Sequence, residues 1–243
     1  MRGYGWRARI GHVYPAVVAE TLLTEFYRIA PPGVTLALNN LVIESLNQKE
    51  GIEESIARID QCAGWLAKRK VDIIVIGGKP ILHHLGDGSG ETIIARLEKK
   101  FGIPVTTTHH AVIASLRKLG ARKLAVASPY FDEQNAQIKH SLEREGFEVV
   151  IIKGLDTELE NIHALPLEAS YRHAKNCVAE APSAEAVYIP CPHFAVPHLQ
   201  ELEDDLGVPV VNGIASLLWH SFDLLQIHAP IQGHGRLLAS LSP

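Results

Sequence analysis

The sequence predicts an α/β fold made of two similar halves, each built around a parallel sheet. Short apolar runs alternate with longer helical patterns along the 243 residues. The run 72–76 (DIIVI) carries β-branched residues on both faces, which is typical of a central parallel strand covered by helices on each side. Two segments also recur along the chain: 72–78 resembles 185–191, and 101–105 (FGIPV) resembles 206–210 (LGVPV).

The predicted elements follow one another as strand, helix, strand, the order of parallel sheets with right-handed crossovers. Apolar residues at three- and four-residue spacing, among them Ile52, Ile56 and Ile59, predict a long amphipathic helix, and Pro31-Pro32-Gly33 ends an earlier one. Strands are predicted over 9–13, 34–38, 72–76, 103–105, 124–127, 148–152, 186–189 and 208–211. Helices are predicted over 20–29, 51–70, 92–101, 111–119, 135–145, 167–180, 198–206 and 216–225.

The internal repeat divides the chain into a first half, residues 1–112 plus 220–243, and a second half, residues 113–219. Two pseudo-symmetric, Rossmann-like halves that face each other would place the loops after their central strands across a shared cleft. Ligands of open α/β sheets bind at the carboxyl ends of strands, so an active site is expected in that cleft. Gly78 and Cys191 then hold equivalent positions on its two walls.

The composition is that of a globular protein, with 47% hydrophobic and 21% charged residues. A formal net charge of -4 gives no reason to expect nucleic acid or an anionic membrane as a partner. No apolar run approaches the roughly 18 residues that span a bilayer, and the arginines near the N-terminus do not lead into an apolar signal segment. Three cysteines, an odd and sparse count, favour a reducing compartment, so a cytoplasmic protein is predicted.

Cys191 is the strongest candidate for chemistry, because it ends a buried strand and stands between Pro190 and Pro192. Free cysteine is also among the most buried residue types, and an inert packing thiol is as good an interpretation of its position. Cys62 and Cys177 lie within predicted helices and are interpreted as packing residues.

A second candidate is Ser128-Pro129-Tyr130 with Asn135, which follows a strand and opens a helix. The Tyr130 hydroxyl and the helix amides would suit a carboxylate. An ordinary strand-to-helix turn explains the same residues.

No cofactor and no metal are predicted. Gly77-Gly78-Lys79-Pro80 lacks the P-loop pattern, and no G-x-G-x-x-G occurs, so Lys79 either attracts an anionic substrate or is solvated. Adjacent histidines are poor chelators, and neither H-E-x-x-H nor C-x-x-C is present. Any of four histidines could move a proton, and the sequence does not choose among them: His12, His109, His110 and His193.

Taken together, five segments resemble the aspartate/glutamate racemase superfamily, and within it the branch of arylmalonate decarboxylase and maleate cis-trans isomerase. They extend over most of the chain: 10–15 (IGHVYP), 102–135, the strand that ends at Cys191, 206–212 (LGVPVVN) and 233–237 (GHGRL). The resemblance implies two α/β halves with the active site between them.

The resemblance also implies which half of the chain supplies the catalytic cysteine. Racemases and isomerases of this superfamily use two cysteines, one from each half, whereas here the first position is Gly78 and only Cys191 keeps a thiol. That is the pattern of the decarboxylase, in which one carboxylate leaves a malonate and a lone cysteine protonates the resulting enediolate. On this basis Cys191 is expected to be catalytic, and the substrate-binding residues are expected to be Tyr130, Gly78, Lys79, Pro15, Ser128, Asn135 and His193.

The sequence departs from the decarboxylase pattern at two places. Lys79 and Pro80 replace hydroxyl residues, and Pro192 replaces a glycine, so two backbone donors are expected to be missing. The expected activity is a cofactor-independent decarboxylation of a small malonate-like dicarboxylate. An isomerase of the maleate or Asp/Glu racemase type and a non-catalytic small-carboxylate binder are the alternatives, and a homo-oligomer is left open. An activated Cys191 is expected to alkylate quickly near neutral pH and to be protected by a dicarboxylate, whereas a slow, unprotected thiol would favour the binder.

Overall fold

The structure is a computed structural model that describes residues 3–16, 18–43, 49–78, 86 and 88–241. Two four-stranded parallel sheets with surrounding helices confirm the predicted fold class. Among the described residues, the helices are too short or too polar to cross a lipid bilayer.

In chain order the elements are β1 (Ala8–Ala16), α1 (Glu20–Ile29), β2 (Val34–Ile43), α2 (Lys49–Lys68), β3 (Ile73–Ile76), α3 (Ser89–Phe101), β4 (Val105–Thr107), α4 (Thr108–Lys118), β5 (Lys123–Ala127), α5 (Asp132–Arg144), β6 (Glu148–Lys153), a 3-10 helix (Leu159–Ala164), α6 (Ala169–Glu180), β7 (Ala186–Ile189), α7 (Leu199–Leu206), β8 (Val210–Asn212), α8 (Gly213–Leu224) and α9 (Arg236–Ala239).

Contacts along the chain define two compact units. The first unit comprises Met1–Ala19, Ala30–Ala111 and Leu224–Gln226, and the second comprises Glu20–Ile29, Val112–Asp223 and Ile227–Pro243. The sheet of the first unit has the strand order β2-β1-β3-β4, and that of the second has β6-β5-β7-β8. The two sheets therefore share one topology, in which β3 and β7 hold the same place.

In the first unit, the amphipathic face of α2 packs on the sheet. Ile59, Ala63 and Leu66 recur at the predicted helical spacing and lie in one cluster with Ile74 and Ile76 of β3. All four residues of β3 are buried, as its β-branched composition predicts.

In the second unit, helices cover both faces of β5. Leu124 and Val126 pack in one buried cluster, whereas Ala125 and Ala127 point to the other face and pack with Ala174 of α6. This arrangement explains why the central strands are apolar without alternation.

The sequence repeat has a structural cause in the first and second units alike. The helices α3 and α7 are followed by the capping residues Gly102 and Gly207, which have φ angles of 64° and 71°. Three residues before the last residue of each helix, a glutamate side chain accepts a hydrogen bond from the N–H of the first residue of the next strand. The glutamates are Glu98, at 3.0 Å for β4, and Glu203, at 2.8 Å for β8. The repeat therefore ties a helix C-terminus to the strand that follows it.

Several segments group differently from the halves drawn on the sequence. Helix α1, residue 112 and residues 220–223 and 227–243 belong by their contacts to the second unit, although the sequence repeat places them in the first half. The C-terminal segment is fixed there because the buried carboxylate of Glu203 accepts the N–H of Arg236 at 2.7 Å, and Gln200 accepts the N–H of Gly235 at 3.1 Å.

Candidate active site

Cys191 lies two residues beyond the last residue of the buried strand β7. Its φ angle is 81°, in the left-handed region that side chains other than glycine rarely adopt. Such a conformation costs about 1–2 kcal/mol and persists only where the surrounding structure enforces it. Here the turn is closed by the N–H of Phe194, which donates to the Cys191 carbonyl at 3.3 Å. The half-buried thiol is therefore presented by a strained turn at the carboxyl end of a central strand.

Three hydrogen-bond donors surround the sulfur of Cys191. Burial raises the pKa of the thiol, and hydrogen bonds from the Tyr130 side chain and from the backbone N–H groups of His193 and Phe194 lower it, with the balance above the usual value. The group is thus a protonated thiol at neutral pH. Pro192 has no N–H to donate, and the backbone donors at the sulfur come from the next two residues, His193 and Phe194. Fast alkylation near neutral pH stays a prediction from the sequence, and the raised pKa of the thiol favours a slower reaction.

Tyr130 is held at the carboxyl end of β5 by two buried side chains. The hydroxyl of Ser128 accepts the Tyr130 N–H at 3.0 Å, and the amide of Asn135 donates to the Tyr130 carbonyl at 3.2 Å. Ser128 and Asn135 therefore position the backbone of Tyr130. The side-chain oxygen of Asn135 is buried and accepts no hydrogen bond.

Gly154 supports the same segment and was not singled out in the sequence. A Cβ at this position would lie 1.9 Å from the carbonyl oxygen of Tyr130 and 2.7 Å from Nδ2 of Asn135. The neighbouring backbone is bonded to Ser128, whose N–H donates to the Lys153 carbonyl at 2.9 Å. Only a glycine allows this close approach. A glycine two residues after the predicted strand 148–152 was the one available signal.

Two titratable neighbours of Cys191, His193 and Tyr188, are neutral at pH 7. Burial lowers the pKa of His193, and the charge of His163 lowers it further. Burial raises the pKa of Tyr188 in β7, and the charge of Cys191 adds to this rise. The sulfur therefore draws its stabilisation from hydrogen-bond donors, and these two neighbours bring no positive charge.

In the first unit, Gly78 takes the position that Cys191 takes in the second. Gly78 lies two residues beyond the end of β3, and its φ angle is 103°. Pro15 lies near the end of β1, where the pairing with β2 shifts register, and its Cδ would lie 2.9 Å from a Cβ on Gly77. Lys79 lies outside the described residues.

The candidate histidines differ in their surroundings. His109 and His110 lie in the first turn of α4, where His110 Nδ1 is 2.8 Å from the Thr107 hydroxyl that caps the helix. His12 is inside β1 and buried, and burial lowers its pKa to about 3; neither ring nitrogen has a hydrogen-bond partner within the described ranges. Among the residues that the structure describes, no group of three or more His, Cys, Asp or Glu side chains could hold a metal ion.

Sequence comparison finds relatives of two named activities. The chain is 25% identical over 193 residues to "Arylmalonate decarboxylase" of Bordetella bronchiseptica, covering 77% of this chain and 80% of that protein. It is 26% identical over 200 residues to "Maleate isomerase" of Geobacillus stearothermophilus, covering 79% and 78%. The named relatives are enzymes, and the two identities do not discriminate between the activities.

Structure comparison finds the same fold in both kinds of enzyme. The maleate isomerase Iso from Pseudomonas putida S16 gives a TM-score of 0.82 at 20% identity, covering 96% of this chain and 99% of that one. A glycine-to-cysteine mutant of arylmalonate decarboxylase in the sulfate ion associated form gives 0.83 at 23% identity, covering 95% and 99%. A cysteine-to-serine mutant of the maleate cis-trans isomerase of Nocardia farcinica, with a covalently bound succinylcysteine intermediate, gives 0.81 at 20% identity, covering 96% and 98%.

The family described as arylmalonate decarboxylase has a model that matches residues 24–238. The matched range contains both sheets except β1, and it includes Gly78, Tyr130 and Cys191. The match extends over well more than half of the 243 residues. The chain therefore belongs to the arylmalonate decarboxylase family of enzymes.

Proposed function

We propose that this protein decarboxylates a small substituted malonate-like dicarboxylate without a cofactor, with Cys191 as its single proton donor. The observation that carries the proposal is the state of the Cys191 thiol. Burial keeps it protonated at neutral pH, while Tyr130 and the N–H groups of His193 and Phe194 stand ready to stabilise the thiolate. A general acid needs both properties.

The proposed step transfers one proton. Loss of one carboxylate as carbon dioxide leaves an electron pair on the α-carbon, delocalised as an enediolate over the remaining carboxylate. The S–H bond of Cys191 breaks, a C–H bond forms at the α-carbon, and the electron pair of the S–H bond stays on sulfur. The three donors stabilise that thiolate, and water returns the proton before the next turnover.

Substrate binding is assigned to groups at the carboxyl ends of the central strands. The Tyr130 hydroxyl and the backbone of the 191–194 turn are the polar groups at Cys191, with His193 beside them. Ser128 and Asn135 act through the backbone of Tyr130. The proposed binding residues of the first unit are Pro15, Gly78 and Lys79.

Isomerisation is the second candidate, and the named maleate isomerases among the relatives favour it. Two features weigh against it. Gly78 provides no thiol at the position equivalent to Cys191, and a thiol whose pKa is raised is a poor nucleophile at neutral pH. The missing N–H of Pro192 favours a non-catalytic binder, and the donors that His193 and Phe194 supply to the thiol weigh against it.

The test is turnover of 2-phenylmalonate, maleate and the two enantiomers of aspartate by the purified protein, followed by proton NMR. We expect carbon dioxide release from the malonate and, in deuterium oxide, deuterium at the α-carbon of the product. Cys191→Ala should abolish this reaction, and Cys62→Ala, which removes a packing thiol, should retain it. Conversion of maleate to fumarate without malonate turnover, or full activity in Cys191→Ala, would overturn the proposal.

A further inference from the structure

His12 is a buried histidine whose ring lacks hydrogen-bond partners among the described residues. It is 2% exposed, and within that part of the chain neither Nδ1 nor Nε2 has a partner. The ring packs edge-to-face with Tyr14, with centroids 5.5 Å apart. A neutral imidazole always carries one N–H donor and one acceptor, and native proteins leave few such groups unsatisfied when buried. The ring therefore calls for a polar partner that the described part of the chain does not supply.

Another buried histidine, His173, has a hydrogen-bond partner, as buried histidines usually do. His173 of α6 is 7% exposed, and its Nε2 lies 2.9 Å from the carbonyl oxygen of Lys153. That bond satisfies the ring within the protein and ties α6 to the end of β6. His12 has no counterpart to this bond, so a purely structural role does not explain its polarity.

The ring of His12 lies beside the glycines that follow β3. A Cβ on Gly77 would lie 2.7 Å from Nε2 of His12 and 2.9 Å from Cδ of Pro15. Because Gly77 has no side chain, Nε2 of His12 fits next to it. Gly77 leads directly into Gly78, at the carboxyl end of a central parallel strand, which is where open α/β sheets bind ligands.

We propose that His12 is a substrate-binding residue, whose ring N–H donates a hydrogen bond to a carboxylate oxygen of the small acid at the carboxyl ends of β1 and β3. This inference rests on the proposed function and names a specificity group for it. The buried ring is neutral and acts as a directional donor. A carboxylate bound there favours the charged ring, so the pKa of His12 rises when the ligand binds.

The first test measures binding without turnover, in the Cys191→Ala background with 2-phenylmalonate as the probe and calorimetry as the readout. We expect His12→Leu to weaken binding about tenfold or more, as for loss of a hydrogen bond to a charged group. His173→Leu is the matched control and should leave the affinity unchanged. His12→Leu should also raise the thermal unfolding midpoint of the ligand-free protein, because it replaces an unsatisfied polar ring by an apolar side chain, whereas His173→Leu should lower it.

The second test separates this inference from the proposed function. Ring nitrogen-15 signals of His12 are followed by NMR while 2-phenylmalonate, maleate and succinate are added in turn. A shift of these signals with any of the three acids supports the inference even if no malonate is decarboxylated, in which case the proposed function alone fails. Binding of an acid with unchanged His12 signals, or with less than a twofold effect of His12→Leu, overturns the inference and assigns the ring to a buried water. Absence of binding by all three acids overturns both.

Discussion

At Cys191, burial and hydrogen bonding shift the pKa of the thiol in opposite directions. Removal from water raises the pKa of the thiol, while the donors from Tyr130, His193 and Phe194 lower it. Burial prevails, so the resting group is an acid, and its conjugate base is nevertheless stabilised. The sequence identified the cysteine and the tyrosine from their places after strands. It did not identify the backbone donors, because the path of the turn after Pro192 is a property of three-dimensional geometry.

Alkylation of Cys191 provides a test of this balance. The modification rate should be slow at pH 7 and rise with pH beyond the range of an ordinary thiol, because only the thiolate reacts and its pKa is raised. Tyr130→Phe removes one donor and should raise that pKa further, so that alkylation at pH 8 becomes slower. Iodoacetamide labelling with peptide mapping measures the rate separately from Cys62 and Cys177.

Tyr171→Phe is the control for that experiment, since the Tyr171 hydroxyl is exposed and donates to Asp205 at 2.6 Å. It should not change the labelling of Cys191. A Tyr130→Phe protein that labels at the same rate as its parent, or faster, would contradict the hydrogen bond to sulfur.

Among the elements, those with clear boundary signals in the sequence were predictable, and those without such signals were not. Helix α1 and strand β7 match their predicted ranges, because a proline-glycine stop and a wholly apolar run mark them clearly. The strands β4 and β8 begin one residue after Pro104 and Pro209, later than predicted, because proline lacks an N–H for the sheet. The 3-10 helix and α9 were missed, since such short elements carry no periodic signal.

The segment that follows β6 gives a test at the level of elements. Gly154→Ala would place a methyl group 1.9 Å from the Tyr130 carbonyl, so the segment 128–130 must move. We expect a loss of about 1–3 kcal/mol in the free energy of unfolding, together with lower turnover because Tyr130 shifts. Urea denaturation and kcat are the measurements.

Gly213→Ala is the matched substitution, because a Cβ there meets nothing within 4 Å and the residue begins the helix α8. Its unfolding free energy should be unchanged or slightly higher. If both variants behave alike, the close approach at Gly154 is not what holds Tyr130.

Across the whole molecule, the two units share one sheet order but carry different residues at the equivalent strand ends. The short repeated segments predicted this topology, and the glutamate links of Glu98 and Glu203 explain why those segments recur. The sequence could not assign α1 and residues 227–243 to the second unit, because no local pattern reports which sheet a connecting helix packs against.

Gly78→Cys tests the equivalence of the two positions. It gives each unit a thiol after its third strand in the sheet order, and proton exchange by two bases requires such a pair. We expect exchange of the α-hydrogen of 2-phenylpropionate for deuterium, measured by NMR, above the level of the parent protein. The positive φ of Gly78 should cost about 1–2 kcal/mol of stability. Gly78→Ser carries the same strain without a thiol, so equal exchange in both variants would count against the assignment.

The buried His12 should make stability depend on pH. Its pKa is lowered from 6.5 to about 3, so between these values the unfolded chain binds a proton that the folded protein does not. Stability from this group is therefore present above pH 6.5 and is lost as the pH falls toward 3. Between pH 7 and pH 5 the loss should be about 2 kcal/mol. Urea denaturation of the parent and of His12→Leu should show this difference, and parallel pH profiles would argue against a neutral buried ring.

Gly78 and Cys191 both have a positive φ angle, and this conformation affects which substitutions the two positions accept. A main chain already bent to display a side chain after the strand can accept or lose a sulfur there without being rebuilt, and codons for glycine and cysteine can differ by a single base. A single substitution at either position would therefore add or remove a thiol at the end of a central strand without a new backbone turn.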